Sequence, residues 1–245
     1  KLTAVLESSS NANKAINDGG TNPSLYETGT NLSLASFCRT TVGYWKFDEG
    51  SGQIAFDSSG YQNNCTLHGP TWTTGKIGNA LSFDGVDDYV NCGNNTSLNV
   101  PDDYTIEMWI YNKTATNLYP TLFNRGFQSK TNGFFWYYTS GSPNNTDIKY
   151  QWSDGSNYHM EIFTNALPKD TWTHAVFVFT NADKALKLYT NGSQFSTTRI
   201  LTGALPVNSG TLYLGCYGSS SYFFSGLIDE VRIYNRALSA DEILQ

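Results

Sequence analysis

Charge is scarce in this chain. Only 15% of residues are Asp, Glu, Lys or Arg, the net charge is −6, and no basic run occurs. The electrostatic footprint of a nucleic-acid or anionic-membrane partner is therefore missing. No apolar stretch approaches the roughly 20 residues of a transmembrane helix, so no membrane insertion is expected of this chain. The four cysteines, Cys38, Cys65, Cys92 and Cys216, form no CxxC pair, which argues against a zinc or redox site. They allow two disulfides in three connectivities, or ordinary buried thiols. No GxSxG, HExxH or phosphate-loop motif occurs, and His68, His159 and His174 are isolated, so nothing points to an enzyme. An initiator Met and a signal peptide are lacking too, and Lys1 is read as a processing site or a chosen boundary.

What is abundant is Gly, Ser, Thr and Asn, with aromatics at 15%. That balance belongs to an extracellular all-β protein with polar loops, and 245 residues suffice for a large core. The chain reads in two parts. Residues 1–40 combine a thin helix (Lys1–Ile16) with loop signals at Gly19-Gly20, Asn22-Pro23 and Gly29. Residues 41–245 repeat strand and turn to the end. Tyr104–Tyr111 puts Ile106, Met108 and Ile110 on one face, and Phe134–Thr139 puts Phe134, Trp136 and Tyr138 opposite Phe135 and Tyr137. Asn191-Gly192 predicts a tight hairpin turn and Asp84–Asp88 a second hairpin. Ser239–Glu242 has capping-box spacing for a final helical turn. A dozen short strands predict a sandwich, closed as a jelly roll. In Gly226–Leu238 (GLIDEVRIYNRAL), strict alternation sets Asp229 among Leu227, Val231 and Ile233 on the core face. A carboxylate there needs a cation or good donors.

Several motifs stand in an order that resembles one family: VGYWKFDEGSG (Val42–Gly52), DSSG (Asp57–Gly60), GKIGNALSFDGVDDY (Gly75–Tyr89), WTHAV (Trp172–Val176), Asn191-Gly192 and Gly226–Leu238. Together they are similar to the laminin-G-like jelly-roll domains of the concanavalin A-like lectin/glucanase superfamily. The resemblance implies a lectin-like module, with first and last strands side by side and a structural calcium near them. Asp48, Asp57 and Asp229 would supply carboxylates, and Gly50 and Ser51 carbonyl oxygens. The competing reading is an ion pair of Asp229 with Arg232 or Lys46 and an Asx turn at Asp57. The E-x-D-x-x-E strand of the family's glucanases is missing, and Asp229-Glu230 sit on opposite faces of a strand, unlike a glycosidase pair. The preceding segment, running into YETGTNLSLASFC, looks like the tail of a type IV pilin. That likeness implies display on a bacterial surface or pilus, with other pilin subunits as partners. Glycans are the expected ligands, held by aromatic faces and polar groups at Asn124, Arg125, Tyr138, Trp152, Asp154, Tyr158, His159, Tyr217 and Tyr222. A protein-binding adhesin or spacer is the alternative.

Overall fold

The computed structural model describes residues 40–100, 102–113, 119–126, 133–138, 146–203 and 210–243. The expected helix and loop over 1–40 lies outside them except for its last residue, and so does Cys38. In chain order the strands are β1 (Thr41–Trp45), β2 (Ile54–Ala55), β3 (Cys65–His68), β4 (Thr71–Thr74), β5 (Asn79–Asp84), β6 (Tyr89–Asn91), β7 (Tyr104–Asn112), β8 (Thr121–Arg125) and β9 (Gly133–Tyr138). They continue as β10 (Ile148–Ser153), β11 (Tyr158–Phe163), β12 (Trp172–Thr180), β13 (Ala185–Thr190), β14 (Ser193–Gln194), β15 (Arg199–Ile200), β16 (Leu212–Leu214) and β17 (Ser225–Tyr234), before the single helical turn α1 (Ala240–Ile243).

Two antiparallel sheets form a jelly-roll sandwich. The nine-stranded sheet runs β14-β13-β12-β7-β17-β5-β4, with β1 on β17 and β15 on β13; the eight-stranded sheet runs β11-β10-β9-β8-β16-β6-β3-β2. The alternation of the strands decides what lies between them. Ile106, Met108 and Ile110 of β7 and Trp136 and Tyr138 of β9 are all at 0% exposure in one core. Trp136 meets Phe177 across the sandwich with ring centroids 4.5 Å apart. Each such side chain withdrawn from water contributes roughly 1.5–3 kcal/mol.

The last strand joins the chain's ends as expected. One edge of β17 pairs with β7, and the other pairs first with β5 (Ile228 opposite Leu81) and then with β1 (Val231 opposite Trp45). Its alternation is broken, however, which corrects the placement of Asp229. The register with β7 shifts between Asp229 and Arg232, and Glu230 takes the left-handed region at φ 52°. This bulge adds one residue, so Ile228, Val231 and Ile233 enter the core. Asp229 lies opposite Trp109, on the outer face of the nine-stranded sheet.

The outer face also buries a polar network. Arg232 Nη1 donates to Glu107 Oε1 at 2.7 Å, Tyr44 Oη donates to Glu230 Oε2 at 2.7 Å, and Arg232 also pairs with Glu230. Burial opposes ionisation of Glu107, but hydrogen bonds from His174 and Arg232 outweigh it and hold its carboxyl below the ordinary range.

Turns and caps mostly follow their residues. Asn191 (φ 48°) and Gly192 (φ 82°) close the β13–β14 hairpin, and Ser239 and Glu242 exchange the capping-box hydrogen bonds. The hairpin expected at Asp84–Asp88 is instead a crossover, since β5 belongs to the nine-stranded sheet and β6 to the eight-stranded one. Cys65, at the start of β3, and Cys92, just past the end of its partner β6, form a disulfide, whereas Cys216 is a buried free thiol.

Candidate functional site

The acids expected to converge on calcium divide into two groups. Asp48 and Asp229 both reach the segment 75–79. Asp48 Oδ1 accepts the Asn79 N–H at 2.9 Å, and Asp229 Oδ2 accepts those of Lys76 and Ile77 at 2.9 and 3.0 Å. Glycine is required in this segment. A Cβ would stand 2.6 Å from Asp229 Oδ2 at Gly75 and 2.0 Å from Asp48 Oδ1 at Gly78, where φ is +62°. Asp229 is at 0% exposure, and its Oδ1 is buried with no hydrogen-bond partner among the described residues. Burial pushes this carboxyl up to about 6. An orphaned carboxylate oxygen with a second carboxylate on the same segment fits a hard cation. Gly50 borders Asn79 as well, and Ser51 is exposed in the same turn.

Asp57 does not fit. Both its oxygens are taken up by β1 and by the turn that follows, accepting from Tyr44 N, Ser59 N, Ser59 Oγ and Asn63 N at 2.7–2.9 Å. It is a structural Asx-type hub. Neither does Arg232 pair with Asp229, since its guanidinium is engaged by Glu107 and Glu230. Among the described residues, the one group of three acids with ligand atoms within 4.8 Å of each other is Asp84, Asp87 and Asp88.

The residues expected to touch a ligand also separate. Tyr138 and Trp152 are core side chains at 0% and 1% exposure, because they share the inward face of their strands with Trp136 and Tyr150. Arg125, also at 1%, braces the chain by donating to Gly93 O, Asn95 O and Asn99 Oδ1. Asn124 is buried too. Asp154 and His159 meet each other at 2.8 Å, and His159 stacks on Trp152 with centroids 5.1 Å apart. That imidazole, with the Asn157 and Ser156 N–H groups, holds Asp154 well below the usual carboxylate range. Tyr158 is 49% exposed on the edge strand β11. Phe135, on which Tyr217 lies, shares a cross-strand row with Gln151 and Met160, two residues along β11 from Tyr158.

Tyr217 and Tyr222 do come together. The loop 215–224 is anchored by Thr121 N–H donating to Tyr222 O at 2.8 Å and Tyr217 N–H to Ser221 O at 2.8 Å. It lays Tyr217 on Phe135 with centroids 5.4 Å apart and sets Tyr222 5.6 Å from Tyr217 and 5.3 Å from Tyr119. Tyr119 in turn meets Tyr137 at 5.7 Å. The cluster covers the outer face of the eight-stranded sheet, where Phe135 and Tyr137 are nearly buried while Tyr119 and Tyr222 stay 39% and 38% exposed. Polar groups border it. Tyr137 Oη donates to Gln151 Oε1 at 3.0 Å, and Lys149 Nζ stands 5.6 Å from the Tyr137 ring. Ser219 and Tyr222 hold positive φ, 66° and 54°, which fixes the turn that brings Tyr217 and Tyr222 together. Sequence reasoning nominated none of Tyr119, Phe135, Tyr137, Lys149 and Gln151. The alternation separated Phe135 and Tyr137 from Trp136, but it carried no sign of which face the core would take.

Residues 84–244 match the profile of the Concanavalin A-like lectin/glucanases superfamily. No curated protein matches the chain in sequence. Among solved structures, domain 4 of AbnA, a GH43 extracellular arabinanase from Geobacillus stearothermophilus in complex with arabinotriose, is similar at 21% identity and TM-score 0.64. That match covers 84% of this chain and 97% of the arabinanase domain. The binding domain of Paraclostridial Mosquitocidal Protein 1 is similar at 16% identity and TM-score 0.67, over 84% of this chain and 51% of that one. Botulinum neurotoxin type C, whose cell entry depends on interaction with two ganglioside molecules, is similar at 14% identity and TM-score 0.64, over 86% and 51%. This chain therefore spans about half the length of the toxin chains, and at these identities the likeness is one of fold. With the profile covering most of the two-sheet sandwich, the chain belongs to the concanavalin A-like lectin/glucanases superfamily.

Proposed function

We propose that this chain is an extracellular carbohydrate-binding, lectin-like module whose ligand lies against the tyrosine cluster on the outer face of the eight-stranded sheet. The observation that carries the reading is the half-exposed pair Tyr119 and Tyr222, held by Phe135, Tyr137 and Tyr217 and bordered by Lys149 and Gln151. Ring faces suit the C–H faces of sugars, and the bordering polar groups suit their hydroxyls. That one structural neighbour holds arabinotriose supports the ligand class. The Cys65–Cys92 bridge supports an oxidising compartment, and so a place outside the cell; display on a surface or a pilus beside other pilin subunits belongs to the same proposal.

A structural calcium belongs to the same reading, held by Asp229 Oδ1 and Asp48, with Gly50 and Ser51 in the adjoining turn. The module binds without turnover. Asp229 and Glu230, the acids of β17, are engaged by backbone N–H groups and by Tyr44 and Arg232. The exposed row Tyr158, Met160 and Ile162 along the edge strand β11 is the feature that favours the alternative, a protein-binding adhesin. A panel of immobilised plant and host glycans tests the proposal. Binding that falls more than about tenfold in Tyr222→Ala at unchanged melting temperature supports it. Failure of the full chain to bind any glycan at high protein concentration refutes it.

A further inference from the structure

The loop 215–224 has a second side. Where Tyr217 and Tyr222 face the tyrosine cluster, Ser219 and Phe223 line a pocket of about 390 Å³ with His68, Gly69, Asp87 and Tyr89. That volume lies within the range of small-ligand sites. His68 and Tyr89, neighbours on paired strands β3 and β6, stack with centroids 4.4 Å apart and planes 10° from parallel, and Tyr213 meets Tyr89 edge-on at 6.0 Å. The pocket therefore has a rigid aromatic wall, an imidazole, a hydroxyl and a carboxylate.

Its charge is one-sided. Asp87 stands with Asp84 and Asp88, their oxygens within 4.8 Å of one another, and among the described residues no Lys or Arg lines the pocket. Asp84 accepts the N–H groups of Val86 and Asp87, and Asp88 accepts that of Asp84, so backbone geometry holds the acids in place. A ligand carboxylate entering here meets like charge, whereas hydroxyl and ammonium groups meet acceptors.

We propose that this pocket is a saccharide subsite that selects neutral or amino sugars and rejects uronic and sialic acids. Phe223 and the His68–Tyr89 pair supply apolar faces for a ring, and Asp87 and Ser219 take its hydroxyls. One loop builds both this pocket and the tyrosine cluster, so an oligosaccharide that crosses the loop would meet both. The inference rests on the carbohydrate-binding reading and adds the class of sugar.

The test is calorimetric titration of the full chain with arabinotriose, cellotriose, a chitosan trimer, 3′-sialyllactose and trigalacturonic acid. The expected result is binding of a neutral or amino trimer with the acidic sugars weaker by about tenfold. Asp87 is exposed, so Asp87→Asn and Asp87→Lys are expected to fold. The first should weaken the favoured trimer about fivefold, and the second should narrow or reverse the discrimination against trigalacturonic acid. Acidic sugars binding as tightly as neutral ones overturn the inference and leave the carbohydrate reading standing. So does trimer binding that Tyr222→Ala removes but that is unchanged in both Asp87 variants. If no sugar of the panel binds, the inference falls together with the reading beneath it.

Discussion

Substituting Asp229 should reverse the sign of its effect when calcium is supplied. In the metal-free protein this carboxylate is buried, one oxygen lacks a partner, and its pKa is pushed up to about 6. A carboxyl raised on folding favours the folded state below its unfolded value. It loses that advantage as pH rises from about 4 through 6, because the folded chain then binds more protons than the unfolded one. At pH 8 in EDTA the charged Asp229 therefore costs about 1–3 kcal/mol, after allowance for solvent screening. Asp229→Asn keeps an oxygen for the Lys76 and Ile77 N–H groups and removes the charge. It should melt about 2–12 °C above the unsubstituted chain in EDTA. With calcium at a hundredfold excess over its dissociation constant the unsubstituted chain gains about 2.7 kcal/mol, and Asn, losing that gain, should now match it or melt below it. Differential scanning calorimetry of both chains at pH 8, with EDTA and with calcium chloride, reads the four melting temperatures. Equal shifts in the two conditions would refute the calcium assignment. A variant less stable in EDTA would refute the claim that the orphaned oxygen is an electrostatic cost.

Reduction of the Cys65–Cys92 bridge, which closes a separation of 27 residues, should cost about 3.5 kcal/mol of stability. Cys65→Ser with Cys92→Ser should show the same loss in urea melts, and thiol reagent should then have no further effect. Glu107, held below the ordinary carboxylate range, contributes stability that is complete above about pH 5 and is lost as pH falls through its lowered value. Glu107→Gln should therefore cost about 2 kcal/mol at pH 7 and flatten the acid limb of the stability profile, measured by urea melts at pH 3–7. A variant as acid-sensitive as the parent chain would show that the Arg232 network is not responsible.

Much of the architecture was legible before any coordinates. Period-two alternation in Tyr104–Tyr111 located core residues, and in Phe134–Thr139 it separated two faces without choosing between them, because a strand must send alternate side chains to opposite faces. Asn191-Gly192 and Ser239–Glu242 worked because their conformations depend on residues within one turn. The pairing of the first and last strands followed from family order. What alternation cannot carry is a bulge. One residue added at Glu230 moved Asp229 out of the core row, and no local signal in IDEVRI announces it.

The candidate site was decided later still. Tyr217 and Tyr222 lie in one loop, and sequence alone could nominate them. Phe135 came under Tyr217 only when sheet order placed β9 there, and Lys149 and Gln151 joined through Tyr137 on the neighbouring strand β10. Arg125, Tyr138 and Trp152 had the right chemistry for a sugar, but they went to the interior because their strands' inward faces pack on the opposite sheet. The sequence by itself therefore determined the longer strands, the Asn191-Gly192 turn, the final cap and the family. Tertiary structure alone decided which polar and aromatic side chains are exposed together, because exposure depends on what the rest of the chain lays over each face.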